Sequence, residues 1–421
     1  MKINTVIIKE PIETEDFYPF SVLHAVWELR CGALMLYEKI IKRLQPTNII
    51  FYSTRKTHLD SFLQRYESNN PEKRTGNVLS IDGNILFTSE LFNQMNSAFA
   101  EFSKSKESAE PCKFVNNGNA FAAYYPESKN QSIDLGNEYS SDNVHSIELK
   151  SVIRINYVWD ILDFVGCEID SDRQLLNNNF KKFDEAQFKG VSSLEASKIF
   201  IGENVKIMPC VALIAEGGEI VIDSGATIYP NSTIIGPCYI GKDTKIKTGA
   251  KIYENTAIGP NCKVGGEIEN SIFQGYSNKQ HEGFLGHSFL GEWVNLGADT
   301  NNSDLKNTYS SIKIRFPNKA VNTGRMFLGL ICGDHTKSAI NTQFTTGTIA
   351  GVSANLYDTG FLPASISSFC WGGNAQDKLF QFERAIEVAR IAMARRKKEL
   401  SIFEEELLQV EYNKVKSAIS K

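Results

Sequence analysis

The segment Ala226-Thr227-Ile228-Tyr229-Pro230-Asn231-Ser232-Thr233-Ile234-Ile235-Gly236-Pro237-Cys238-Tyr239-Ile240 places a large apolar residue at every sixth position. A small residue stands two places before each. The ladder runs through Ile222, Ile228, Ile234, Ile240, Ile246, Ile252, Ile258 and Val264. A helix repeats every 3.6 residues and a strand every 2, so neither explains a period of six. A β-solenoid does: each unit is one short strand and one corner, with the large side chain inward. Working outward, Ile201, Ile207 and Leu213 extend the ladder toward the start of the chain, and a three-residue insertion near Glu216-Gly217-Gly218 shifts its phase. Toward the other end, Phe284, Leu290 and Leu296 are expected to take the inward position, which requires a two-residue excess within 265–283. A longer break follows over 304–326, and Phe344, Ala350 and Leu356 recover the step.

The residues before the ladder do not repeat. Thr5-Val6-Ile7-Ile8 and Asn48-Ile49-Ile50-Phe51-Tyr52 read as buried strands, with a helix expected over 26–44 between them. Strand, helix, strand implies an α/β sheet of the nucleotide-binding kind. Leu79 to Leu86 reads as a hairpin turning on Asp82-Gly83. The polar stretches 103–111 and 136–146 read as surface loops, and an amphipathic stretch runs from Trp159 to Phe180. After the solenoid the pattern turns helical through Phe382, Ala385, Ile386, Ala389 and Met393 and on toward Val415. This helical segment is expected to pack on the last coils and cover an open strand edge. The basic run 395–398 reads as a solvated helix face. The expected organisation is an α/β domain over 1–190, a parallel β-helix over 195–372 and a C-terminal helical segment over 373–421.

A chain of 421 residues with 42% apolar content can bury a sizeable core, and its formal net charge of -4 leaves no footprint for nucleic acid or an anionic membrane. No apolar run reaches the ~20 residues of a membrane helix. Lys9 and Glu10 stand where a signal peptide would be apolar, so a cytoplasmic protein is expected. The eight cysteines form no CxxC pair and read as reduced, mostly buried residues, not as a zinc site.

Side chains alternate across each short strand, which puts His281, three residues before Phe284, outside or at a corner. His287 stands likewise before Leu290, but on the next face. Asp299 follows His281 by eighteen residues, one full coil of the ladder, so its carboxylate is expected beside the imidazole, as a general base requires.

The run His281-Glu282-Gly283-Phe284-Leu285-Gly286, followed by a second hexapeptide and Val294-Asn295-Leu296-Gly297-Ala298, resembles the active-site coil of the bifunctional glucosamine-1-phosphate N-acetyltransferase / N-acetylglucosamine-1-phosphate uridylyltransferase family (GlmU type). Gln274-Gly275-Tyr276-Ser277-Asn278-Lys279, Asp299 to Ser303, Trp371-Gly372-Gly373, Glu28-Leu29-Arg30-Cys31-Gly32 and Trp159-Asp160 resemble a divergent Bacteroidetes-type branch of it. The resemblance implies an α/β nucleotidyltransferase-like domain, a left-handed parallel β-helix and a homotrimer holding acetyl-CoA between subunits. It implies His281 as the base toward a sugar amine, Asn295 as a substrate contact and the Ala298 amide as an oxyanion donor. Phe284 replaces a pocket-lining tyrosine, Asp304 an asparagine that contacts substrate, and Ser310 a lysine. Lys306 is the candidate to supply the missing phosphate contact.

The first domain departs further. No G-x-G-x-x-[ST]-R segment exists, and His24 stands where the branch has the arginine of Thr-Arg-Pro. Arg30 is a candidate for phosphate or for a structural salt bridge. The leading expectation is an acetyl-CoA-dependent N-acetyltransferase acting on an amino-sugar phosphate. A sugar-1-phosphate nucleotidyltransferase-like domain, using UTP or dTTP with Mg²⁺, is fused to it. The alternatives are a nucleotidyltransferase with the solenoid as trimerisation scaffold, and a non-catalytic trimeric regulator.

Overall fold

The computed structural model describes residues 1–104, 109–135, 144–176, 180–375 and 378–420. The core of each expected polar loop, 105–108 and 136–143, lies outside the described residues. The chain divides into two compact units. The first holds Met1–Asp16, His24–Leu29 and Leu34–Asn156; the second holds Phe17–Leu23, Arg30–Ala33 and Tyr157–Lys421.

In the first unit, β1 (Thr5–Lys9), β2 (Asn48–Tyr52), β3 (Val78–Asp82), β4 (Cys112–Asn116), β5 (Asn119–Tyr125) and β6 (His145–Glu148) form one sheet in the order β2-β1-β3-β5-β4-β6. β1 pairs parallel with β2 and β3, and β5 runs antiparallel to β3 and β4. Strands buried on both faces need continuous apolar runs, and Val6, Ile7 and Ile8 are all fully buried. Helices α1 (Leu36–Leu44), α2 (Lys56–Arg65) and α3 (Ser89–Phe102) connect and flank the strands.

Two local expectations need correction. The helix expected over 26–44 begins only at Leu36, after a short 3-10 turn at Val26–Glu28. Gly32 breaks it with a φ of +80°, and the Glu38 carboxylate caps the new start by accepting the Met35 N–H at 2.8 Å. The Asp82-Gly83 hairpin does not form either. Ile85 instead bridges Arg154, and the Leu86 N–H donates to the Ile153 carbonyl at 2.9 Å.

The second unit is built on a three-faced β-solenoid of the left-handed β-helix type. The first face starts at Ser192–Leu194, the second at Ile199–Ile201 and the third at Lys206–Ile207, and the chain visits them in that order on each coil. The second face is a ten-stranded sheet, parallel except for its Lys181–Lys182 edge. Every ladder residue from Ile222 to Val264 is at most 1% exposed, and the small residues Ala226, Ser232, Cys238, Thr244, Ala250, Thr256 and Cys262 are buried beside them. The three-residue insertion is where the sequence puts it: Leu213 pairs with Ile234 and Ile201 with Ile222, 21 residues on, before the step settles at 18 with Ile222 and Ile240.

The irregular coil is short, not long. Ile258 pairs with Phe273 and Val264 with Lys279, 15 residues on; Ile268 then pairs with Leu285, 17 on. Leu285, 1% exposed, therefore takes the inward position expected of Phe284, which turns outward and is only half-buried.

One helix, α4 (Val165–Leu175), precedes the solenoid, and two follow it, α5 (Phe382–Ala394) and α6 (Ile402–Ile419). They are separated at Lys397, whose φ is +57°, and Ser401 and Glu404 cap α6 reciprocally at 3.0 and 2.9 Å. Phe382, Ile386, Leu407 and Leu408 pack on the corner residues Val352 and Phe369, alongside the coils rather than over their open end. The basic run 395–398 thus lies in the break between the helices, not on a helix face. Among the described residues, no helix is long and apolar enough to cross a membrane.

Candidate functional site

The corner between the third and first faces carries His281 and Ala298. The coil step here is 17, so Ala298 follows His281 by one coil. The same step brings the Asp299 N–H onto the Glu282 carbonyl at 2.9 Å and the Phe284 N–H onto Asn301 Oδ1 at 2.8 Å. Asp299 therefore stacks on Glu282, not on His281. Its exposed carboxylate accepts from Asn301 Nδ2 at 3.2 Å, and the expected His281–Asp299 pair does not form. The ladder period of 18 does not hold in this coil. His281 is exposed. The Ala298 carbonyl accepts from the Asn341 N–H at 2.8 Å, while among the described residues the Ala298 N–H donates to no acceptor.

Lys279 fixes this corner from inside. It occupies the inward position of the third face, in register with Val264, and is fully buried. Its ammonium donates to the carbonyls of His281 at 2.8 Å and of Gly265 and Glu282 at 3.3 Å each. Burial pushes its pKa down to about 8, with the Glu282 and Asp299 carboxylates opposing and Lys251 reinforcing that fall.

A histidine–carboxylate pair does exist, one corner further on. His287 Nδ1 lies 2.8 Å from Asp304 Oδ2, its Nε2 lies 3.3 Å from Asn270 Nδ2, and its ring stacks on Phe327 at 5.0 Å. The pair follows from the same short step: Asn270, His287 and Asp304 are 17 residues apart. Gly286 is what lets the next group approach. A Cβ there would stand 2.5 Å from Asp304 Oδ2 and collide with Phe284 Cζ. Phe284, Asp304 and His287 are thus brought together. Glu269 beside them is raised by burial; Asp304, Glu254 and Glu267 add to the rise, and His287 opposes it.

The other site residues stand apart. Asn295 lies on the third face, bridging Asn278 and Lys337, and accepts from Asn278 Nδ2 at 3.4 Å. The Lys306 ammonium donates to the Ser311 carbonyl at 3.0 Å, within its own loop. Arg30 is only 4% exposed; its guanidinium donates to the carbonyls of Gln274, at 3.2 Å, and Ala33. It therefore fits neither expectation, being bonded to backbone carbonyls instead of a carboxylate or an open phosphate site. The register also adds a cation that sequence reasoning missed. Lys251 pairs with Glu267, and Glu267 with Phe284, so Lys251 stands in the same outward column, 3.4 Å from the Glu282 carboxylate.

In the first unit, the carboxyl ends of β1 and β3 carry Glu10 and Asp82. Ligands of open α/β sheets bind at such ends. Glu10 is ion-paired with Arg55, and Asp82 with Arg154 at 2.9 Å. His24 Nδ1 lies 3.1 Å from Glu28 Oε2, and Arg65 bonds to both residues. Burial raises the Glu28 carboxyl, but Arg65 and His24 together outweigh it and hold the group below the ordinary carboxylate range. Asp82 went unnoticed in the sequence because it was read as part of a hairpin turn.

Residues 6–181 match the family described as "Sugar nucleotidyl transferase". A protein of Methanococcus aeolicus named "Bifunctional protein GlmU" is 24% identical over 66% of this chain and 70% of its own length. A "Bifunctional sugar-1-phosphate nucleotidylyltransferase/acetyltransferase" of Sulfurisphaera tokodaii is 30% identical over 22% of this chain, a match that spans 23% of that relative. A second "Bifunctional protein GlmU", of Methanocaldococcus jannaschii, is 31% identical over 20% of this chain and 21% of its own length. Residues 6–181 are thus similar to sugar nucleotidyl transferase domains, and the chain is similar to the bifunctional GlmU-type transferases.

Proposed function

We propose that the solenoid transfers an acetyl group from acetyl-CoA to the amine of an amino-sugar phosphate, and that the first domain joins a nucleotide from UTP or dTTP to a sugar 1-phosphate. The observation that carries the acyl-transfer reading is one corner with His281 on one coil and the uncommitted Ala298 N–H on the next. Adjacent strands are about 4.8 Å apart, close enough for a base and an oxyanion donor to flank one thioester. His281 takes the proton from the sugar ammonium, and the freed amine attacks the thioester carbonyl. The Ala298 N–H holds the oxyanion. The C–S bond then breaks, and the CoA thiolate takes up the second amine proton to leave as the thiol.

Phe284 supplies an apolar wall, and Asp304 and Glu269 attract the amine end of the acceptor. Asn295 contacts the substrate from a neighbouring copy in a cytoplasmic homotrimer. Lys306, released from Ser311, or Lys251 meets the phosphate. Asp299 acts on the corner backbone through Glu282 and not on the imidazole. In the first domain Asp82 fits a Mg²⁺ ion held by one carboxylate and the nucleotide phosphates, the usual donor set for that ion. Mg²⁺ would neutralise triphosphate charge, and Arg55 and Arg154 would meet the phosphates.

The test is CoA release from acetyl-CoA with glucosamine 1-phosphate. His281→Ala should lower it by about 10²-fold or more, the ordinary contribution of a general base, with the oligomer intact. Pyrophosphate release from UTP or dTTP with a sugar 1-phosphate should survive the same substitution. Full acetyl transfer by His281→Ala overturns the assignment of the base.

A further inference from the structure

Lys279 is a charge at a core position. It takes the inward place that Val264 holds one short coil earlier, and it is fully buried. An apolar side chain would fill that place without the cost of taking an ammonium out of water. The coil is nevertheless built around the ammonium. Gly266, with a φ of +75°, leaves the room for it: a Cβ there would stand 2.8 Å from Lys279 Nζ and 2.8 Å from the His281 carbonyl oxygen. Among the described residues the ammonium is bonded to no carboxylate, and its acceptors are the main-chain carbonyls of Gly265, His281 and Glu282.

Those acceptors tie two coils together. The His281 carbonyl belongs to the residue that carries the candidate base. The Glu282 carbonyl also accepts the Asp299 N–H at 2.9 Å, and Asp299 directly follows Ala298. One ammonium thus lies one hydrogen bond from the main chain of the base and two from the main chain beside the oxyanion donor. A neutral amine has only two N–H groups for three carbonyls and turns a lone pair toward one of them.

We infer that Lys279 is a positioning residue for acetyl transfer: its ammonium, by drawing the His281 and Glu282 carbonyls inward, sets the His281 ring against the Ala298 N–H on the next coil. The inference rests on the acyl-transfer reading of this corner. Lys279 touches neither substrate nor the reacting atoms and acts through the main chain alone.

An upper pH limit on transfer follows. The charges that act on Lys279 are Glu282 and Asp299, which favour the ammonium, and Lys251, which opposes it; the His281 imidazole is exposed at the same corner. Burial outweighs the two carboxylates and brings the group down to about 8. The positioned corner is therefore present below pH 8 and lost as the pH rises through that value. The acceptor amine works in the opposite direction, because more of it is unprotonated as the pH rises. Burial brings Lys337 to about 8 as well, so variants and not the wild-type curve alone assign the limit.

The experiment is kcat for CoA release against pH on both sides of 8, with both substrates saturating, for wild type, Lys279→Met and Glu282→Gln. Below pH 8 the wild type should exceed Lys279→Met by about tenfold in kcat with KM little changed, well inside the ~10²-fold that a misplacement of about 1 Å can cost. The ratio should close toward one above pH 8, where the wild type has lost the same contacts. Glu282→Gln keeps the lysine and removes the larger of the two favourable charges, so its kcat should fall at a lower pH than that of wild type. This exposed substitution also serves where Lys279→Met does not fold. A ratio that stays constant across the range marks a merely structural lysine and overturns the inference, as does a fall in kcat that Glu282→Gln leaves in place. Equal CoA release by wild type and His281→Ala at every pH would instead remove the acyl-transfer reading, and this role with it.

Discussion

From Ile222 to Val264 the solenoid repeats a coil of 18 residues, and almost nothing outside the repeat is asked of any residue. Over the next two coils the step falls to 15 and then 17, and the residue in register with Val264 is the buried Lys279. The two regions share strands, faces and inward ladder. They differ in where the backbone polar groups go. In a full coil, neighbouring coils satisfy each other's N–H and C=O groups, with Thr244 and Ser232 hydroxyls closing the corners at 2.8 and 2.9 Å. In the short coil the carbonyls of Gly265, His281 and Glu282 turn toward one ammonium. The regular coils hold shape; the shortened one exposes His281 and leaves the Ala298 N–H open.

The largest effect expected from breaking this contrast lies in the regular part. Ile246→Ala removes a fully buried ladder residue that sits between Ile228 and Val264. A cavity of that kind costs about 2–5 kcal/mol. Urea unfolding should show the loss, while CoA release by the folded fraction stays near wild type. A catalytic loss as large as the stability loss would mean that the regular coils are not mere scaffold.

Lys279→Met should do less to stability and more to activity. The side chain keeps its length but leaves the Gly265 and His281 carbonyls without a donor, while the Glu282 carbonyl keeps the Asp299 N–H, at about 1–3 kcal/mol for a buried group left unsatisfied. The pH dependence separates this lysine from its surroundings. Its folded pKa of about 8 lies below the ordinary 10.5, so between those values the unfolded chain binds more protons than the folded one. Stability then rises with pH across that window. Relative to Lys279→Met, the wild type should gain stability from pH 8 to about 10.5 and show no such gain below pH 7. A flat difference between the two proteins across the window would show that the lysine is not held as the geometry has it.

The regular coils were legible because each residue answers to one rule, inward or outward, and eight hits in sequence fix the phase. The short coil was not, because a period is informative only while it lasts. Counting from Phe284 assumed added residues; Leu285 is the inward residue, and the coil had lost residues instead. That error of phase moved Asp299 beside His281 on paper and hid the pair His287–Asp304, 17 residues apart. Lys279 carried a usable signal: in the register of Val264 it is a charge at an apolar position. In the first unit, Gly32 interrupted a stretch whose apolar spacing read as one helix, and only tertiary packing shows that Ile85 and Leu86 leave the Asp82-Gly83 turn to meet Ile153 and Arg154. Arg30 looked available for phosphate because nothing local reveals a distant acceptor such as the Gln274 carbonyl.

The smallest stability change, and the sharpest probe of the site beside the short coil, comes from Gly286→Ala. The added methyl would meet the Phe284 ring and stand 2.5 Å from Asp304 Oδ2, so both side chains must move. Phe284 faces outward and is half-buried, so its ring can swing away. Overpacking of this kind costs about 1 kcal/mol, the low end of its usual range. The inward ladder at Leu285 is untouched, and the oligomer should persist. What changes is the approach of Phe284 to Asp304 and, through Asp304, the orientation of His287. If these three line the acceptor pocket, KM for the amino-sugar phosphate should rise by about tenfold, equivalent to about 1.4 kcal/mol of binding, with KM for acetyl-CoA unchanged. Equal rises in both KM values would place the collision's effect on the whole corner, and an unchanged acceptor KM would remove Phe284 and Asp304 from the pocket while leaving His281 and Ala298 in place.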